Sequence, residues 1–258
     1  MRRPYLQFVG SALTGLLLAA ATAFAGTPLD PTGEVTGFVP PVRNFAKCER
    51  WTSKRAGLAA MCIMKCHKNA VALAYRNLQF DEEACETECH DKYQQHVDIL
   101  KPGVCPPCLD ETHRTALYPV YEGLAEQVAG LSYCDAGAPI DADDPGFVPT
   151  LDNVLACEQQ IALNAIKVVK CIKLVCHRKL ADSLANRDQS FNEPDCRRTD
   201  VLNSCLARFK AANEKLIGCP ICIDEETERQ AVFDLLESEL DASNGLAYCA
   251  SPGGAFLE

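Results

Sequence analysis

Three stretches of this chain place a histidine directly after a closely spaced pair of cysteines. They are Cys62-Ile63-Met64-Lys65-Cys66-His67, Cys85-Glu86-Thr87-Glu88-Cys89-His90 and Cys171-Ile172-Lys173-Leu174-Val175-Cys176-His177. Two chemistries use residues of these types at such spacing. The thiols can oxidise to disulfides that staple neighbouring helices. Alternatively, each pair can hold a c-type haem, with two thioether bonds to the vinyl groups and the adjacent imidazole on iron. Haem is the alternative reading, because the spacings are C-x3-C-H and C-x4-C-H and no C-x2-C-H is present. The site at Cys85, Cys89 and His90 also has no counterpart at Cys205-Leu206, and distal ligands would have to come from His96, His113, Met61 or Met64. Disulfide staples are the preferred reading. They leave His67 and His177 unexplained.

A second pair of motifs, Cys105-Pro106-Pro107-Cys108 and Cys219-Pro220-Ile221-Cys222, has the spacing of half a zinc site or of a redox-active dithiol. A thioredoxin-like site would follow a strand in an α/β domain, and no such strand is legible here. Disulfides with other cysteines are expected instead, and neither a metal nor a further cofactor is expected. There is no G-x-S-x-G, no H-E-x-x-H and no glycine-rich phosphate loop. Asp141-Ala142-Asp143-Asp144 lacks the glycine and terminal glutamate of a calcium loop and reads as a solvated linker. The acidic groups at 81–83 and 224–228 read as charges favoured at helix N-termini. Trp51, Tyr75, Phe80 and Phe191 read as packing residues.

The elements that must position these residues begin after an export signal. Arg2 and Arg3 precede an apolar run, and Ala23-Phe24-Ala25 fits cleavage before Gly26. The twin arginines also fit the route that exports folded proteins. All 16 cysteines lie beyond this segment, and an even, high count behind an export signal points to an oxidising compartment, periplasmic or extracellular. Removal of the two arginines takes the net charge from −10 to −12, and no basic stripe is present, which argues against nucleic acid as a partner. No later stretch is long and apolar enough to span a membrane.

The rest of the chain reads as a duplication. Gly37-Phe38-Val39-Pro40 answers to Gly146-Phe147-Val148-Pro149, and Phe80-Asp81-Glu82-Glu83-Ala84-Cys85 to Phe191-Asn192-Glu193-Pro194-Asp195-Cys196. The two Cys-Pro-x-Cys motifs correspond, as do Leu131-Ser132-Tyr133-Cys134 and Leu246-Ala247-Tyr248-Cys249. The expected organisation is a signal at 1–25, an arm at 26–36, a first repeat at 37–134, a linker at 135–145 and a second repeat at 146–258. Each repeat should be all-α with about three helices, since period-two strand patterns are nearly absent. Asn44 and Asn153 are placed to cap the first helix, Asp81 and Asn192 the second, and Asp110-Glu111 and Asp224-Glu225 open the third. Pro102-Gly103 and Gly218 should end the second helix, and Pro119 should break or kink the third helix of the first repeat.

On such helices Cys48, Cys62 and Cys66 fall within ~40° of one another, and Cys85 and Cys89 share a face. An antiparallel hairpin then pairs Cys66 with Cys85 and Cys62 with Cys89. In the second repeat Cys176–Cys196 is the matching inner staple. The outer pair is unresolved, because Cys171 and Cys176 would splay by ~140° on a regular helix and Cys205 follows Cys196 by nine residues. Cys48 should approach Cys105 or Cys108, and Cys157 should approach Cys219 or Cys222; no partner is assigned to Cys134 or Cys249. Residues 62–89 resemble the twin C-x3-C hairpins of small disulfide-rich proteins. The wider pattern resembles uncharacterised exported cysteine-rich repeat proteins of bacteria. That likeness implies no activity, and the reading is a non-catalytic binding or structural protein with an unknown protein or small-molecule partner.

Overall fold

A computed structural model describes residues 27–28, 38–39, 42–101, 103–140, 145–186, 191, 193–198 and 201–249. The expected export signal at 1–25, nearly all of the expected arm, Pro102, Asn192 and the acidic stretch at 141–144 lie outside the described residues. The described chain is all-α apart from two minimal antiparallel ladders. β1 (Thr27–Pro28) pairs with β2 (Phe38–Val39), and β3 (Ala138–Pro139) pairs with β4 (Phe147–Val148).

The first half is built on α1 (Arg43–Tyr75), a helix of 33 residues rich in strong helix formers and free of proline. Its buried positions include Ala46, Ala56, Gly57, Ala59, Ala60 and Ala70, small residues that let other helices approach closely. Asn44 does not cap it. The preceding Val42 is the N-cap residue and offers no side-chain acceptor. Asn153 likewise sits inside its helix, and its Nδ2 donates to the Gly218 carbonyl (3.0 Å). Helix α2 (Glu82–Asp98) is capped as expected, with Asp81 accepting from the Ala84 N–H at 2.9 Å.

Asp110 caps α3 (Glu111–Thr115) by accepting from the His113 N–H. The chain then breaks at Ala116 and restarts as α4 (Leu117–Ser132). Pro119 falls in the first turn of α4, where its missing N–H leaves no helical bond unmade. The break therefore lies before the proline.

The second half opens with α5 (Asp152–Cys171), continues through a π-helical turn at Ile172–His177, and resumes as α6 (Arg178–Ala185). Its second helical region is split into α7 (Glu193–Arg197) and α8 (Cys205–Asn213). The third comprises α9 (Glu226–Ala242), opened by a Glu225/Glu228 capping box, and the short α10 (Asn244–Ala247). Helices α2 and α8 end at Asp98 and Asn213, before Gly103 (φ +80°) and Gly218 (φ +73°), which supply left-handed backbone in the connections that follow.

The halves share one core. Helix α1 packs on α2, α4 and α5, while α9 packs on α4 as well as on α5 and α8. Buried Ile63, Leu109 and Tyr121 of the first half belong to the same cluster as Ile161, Phe233 and Leu236 of the second. Polar contacts also cross between the halves. Tyr75 donates to Asp152 (2.7 Å), the Gln159 side chain to the Lys68 carbonyl (2.8 Å), and Arg50 pairs with Asp182. No described helix is long and apolar enough to cross a membrane.

Candidate functional site: disulfide frame and two buried histidine corners

Every cysteine is in a disulfide, with Cα–Cα separations of 5.2–6.2 Å. Cys66–Cys85 and Cys62–Cys89 close the α1/α2 hairpin, with the sulfurs of Cys66 and Cys89 only 3.7 Å apart. This is the arrangement that four-residue spacing on facing helices requires. Cys176–Cys196 is the matching inner bond. The outer bond of the second half, Cys171–Cys205, is present as well.

Two features make that outer bond possible. A π turn is closed by i→i+5 bonds, so positions five apart return to one face; Cys171 directly precedes such a turn and Cys176 lies within it. The second helical region is also broken, so Cys196 and Cys205 stand on separate helices, α7 and α8, free of a single helical phase. The expected splay fails because the helix is not regular there.

Cys48–Cys105 and Cys157–Cys219 tie the first helix of each half to the first cysteine of its own Cys-Pro-x-Cys. The second cysteine of each motif reaches into the other half. Cys108 bonds Cys249 and Cys222 bonds Cys134, a reciprocal pair of cross-links between matched positions. Neither Cys-Pro-x-Cys is a local dithiol, and their four sulfurs are not thiolates available to zinc. The sulfurs of Cys62, Cys66, Cys85, Cys89, Cys171 and Cys176, which thioether attachment of haem would need, are likewise already bonded.

The reciprocal junction also buries two matched glutamates, each next to its staple cysteine. Glu158 Oε1 accepts from the backbone N–H groups of Cys134 and Asp135, both at 3.1 Å, and burial holds its carboxyl up at about 7. Glu49 is pushed up further, to about 9, chiefly by burial and against the pull of Arg50. A third buried polar residue, Lys173 on the π turn, donates to Asn244 Oδ1 (2.7 Å) and lies over the Tyr121 ring of the first half. Gly57 makes room for it. A Cβ at that position would stand 2.9 Å from Lys173 Cγ.

Of the three Cys-His histidines, His90 is half exposed, beside Asp91 and edge-on to Tyr118. His67 and His177 are buried, and each faces carboxylates. His67 Nε2 lies 2.9 Å from Glu86 Oε1 and 3.5 Å from Glu82 Oε1. Glu82 therefore does more than complement the positive end of α2; its carboxylate is turned into the protein.

His177 Nε2 lies 2.9 Å from Asp241 Oδ1 and 4.0 Å from Glu193 Oε1. Arg197 pairs there with Glu193 (2.5 Å) and Asp241, and stands 3.7 Å from Glu237. Burial, then the charges of Lys173 and Arg197, hold the His177 imidazole neutral, well below its usual range. The cysteine spacing pointed to both histidines. It carried no signal for Glu86, Arg197, Glu237 or Asp241, which lie on other helices. Trp51 stacks under the Arg55 guanidinium (4.1 Å), which also contacts His96 (2.7 Å).

No protein-family model, no curated protein and no solved structure matches this chain.

Proposed function

We propose that the chain is an exported structural or binding protein of the cell envelope or exterior, built from two repeats and without catalytic activity of its own. Eight disulfides in a helical fold need an oxidising compartment, and the N-terminal export signal supplies the route to one. The observation that carries the reading is the reciprocal cross-link, Cys108–Cys249 and Cys134–Cys222. It commits the last cysteine of each matched segment to holding the other half, which suits a rigid unit. Matched cysteines make matched bonds, which supports descent of the halves from one duplicated unit. Each disulfide adds roughly 2–4 kcal/mol in isolation, and less where loops overlap. The partner is a protein or small molecule; the acidic surface disfavours nucleic acid.

Expression with its signal followed by fractionation should place the protein outside the cytoplasm. Intact mass should show every cysteine oxidised and no bound haem. Non-reducing peptide mapping should link Cys108 to Cys249 and Cys134 to Cys222. A haem-bearing protein, or free thiols at Cys105 and Cys108, would overturn the reading.

A further inference from the structure

The two buried histidines occupy matched positions, directly after the inner staple cysteine, and the residues around them also match. Glu82 and Glu193 stand three residues before Cys85 and Cys196. Glu122 and Glu237 stand twelve residues, and Glu126 and Asp241 eight residues, before Cys134 and Cys249. The halves thus carry one histidine and three carboxylates at matched sequence positions. The remaining member differs. The residue directly after the staple cysteine is Glu86 in the first half and Arg197 in the second.

In the second half the carboxylates of Glu193, Asp241 and Glu237 gather around the Arg197 guanidinium, a cation built into the chain. The first half puts a fourth carboxylate where that cation stands. Burying several carboxylates together is costly unless protons or a cation neutralise them.

We propose that the His67, Glu82 and Glu86 corner binds a divalent first-row transition-metal ion, which takes the place that the Arg197 guanidinium holds in the second half. The donor geometry fits. One nitrogen, His67 Nε2, is approached by two carboxylate oxygens at 2.9 and 3.5 Å, and the three donor atoms lie within 4.8 Å of one another. Donors ~2.1 Å from a common ion and ~90–110° apart are separated by roughly 3.0–3.4 Å, close to the 2.9 and 3.5 Å between His67 Nε2 and the two carboxylate oxygens. One imidazole with several carboxylates suits Zn2+, Mn2+ or Fe2+ better than the all-oxygen preference of Ca2+ or Mg2+.

The site is also held in advance. Cys66, next to His67, is bonded to Cys85, next to Glu86, so a covalent bridge sets the spacing of the two donor helices. Glu82 and Glu86 are one helical turn apart on α2 and present both carboxylates from one face. Glu82 also borders a surface hollow with Ala70, Ala74, Phe80 and Glu83, so the corner lies close beneath the surface.

The test uses the full oxidised mature protein, stripped with chelator and titrated calorimetrically with ZnCl2 and separately with MnCl2. The expected result is one saturable ion per chain. His67→Ala should weaken it at least a hundredfold, and Glu86→Arg, which writes the second half's cation into the first, should abolish it. Glu86→Gln, a near-isostere, should weaken binding at least tenfold and serves if Glu86→Arg misfolds. The disulfide map and far-ultraviolet circular dichroism of each variant report folding. The proposal is overturned if the wild type takes up neither ion at millimolar concentration, or if binding survives His67→Ala and Glu86→Gln at wild-type affinity, which would assign it to surface carboxylates.

Discussion

In the first half the paired cysteines are four residues apart on a regular α-helix, and the buried histidine beside them faces the carboxylates of Glu82 and Glu86. In the second they are five apart on a π turn, and the histidine shares its corner with an arginine. The same pair of staples forms in both. A one-residue difference in spacing is absorbed where the covalent frame is strongest, because two disulfides make the facing sulfurs the fixed points and leave the backbone between them to adapt. The charge difference lies one residue beyond the staple. There the backbone is equally well held, so Glu86 and Arg197 point into similar surroundings with opposite sign. The cross-links give the two halves a common geometry, while their electrostatics differ.

The largest effect should come from removing the built-in cation. Arg197→Ala leaves Glu193, Glu237 and Asp241 buried without it and should cost about 3–5 kcal/mol. The matched change Glu86→Ala should cost clearly less in metal-free buffer, since it removes one carboxylate from a crowded group. Urea unfolding of the oxidised proteins measures both, and equal losses would break the contrast between the corners.

The matched glutamates at the junction offer a second contrast. Folding raises both carboxyls above the unfolded value of 4.5, so the folded state holds more protons than the unfolded state above that pH. Their contribution is therefore fully present below about pH 4.5 and is lost as pH rises. For Glu158 the loss runs to about pH 7, and for Glu49 it runs on to about pH 9. Each group gives a slope of at most about 1.4 kcal/mol per pH unit within its window. Unfolding free energies at pH 5, 7 and 9 should flatten most in Glu49→Gln above pH 7, where Glu158→Gln should change little. A Glu49→Gln profile parallel to wild type would contradict the assignment.

Two glycines sharpen the packing contrast. Gly57 is crossed by Lys173, and Gly57→Ala should cost about 1–3 kcal/mol through overpacking. A Cβ on Gly123 in α4 would meet nothing within 4 Å, so Gly123→Ala should gain up to about 1 kcal/mol of helix propensity. Thermal denaturation separates a loss from a gain. The smallest effect is expected from deleting Leu174, which gives the second half the four-residue spacing of the first. The π turn should become α-helical, stability should move by only about 1 kcal/mol, and peptide mapping should still find Cys171–Cys205 and Cys176–Cys196. A scrambled map would show that the π turn is required for pairing.

The amino-acid sequence alone determined what depends on local periodicity. The helical class, the α1/α2 hairpin with both of its staples, Cys176–Cys196 and the approach of Cys48 and Cys157 to their own Cys-Pro-x-Cys all follow from residue spacing on helices joined by short turns. Asp81 and Asp110 were legible as caps for the same reason, while Asn44 and Asn153 were misread because the helices begin one residue before each of them. Only the tertiary structure decided the rest. Cys134 and Cys249 had no local partner because their partners lie in the other half, 88 and 141 residues away along the chain. The Cys171–Cys205 bond needed an irregular turn that propensity does not encode. The carboxylates facing His67 and His177 come from helices remote in sequence, and helical phase relates residues along one element, never the identity of the side chain that another element brings against it.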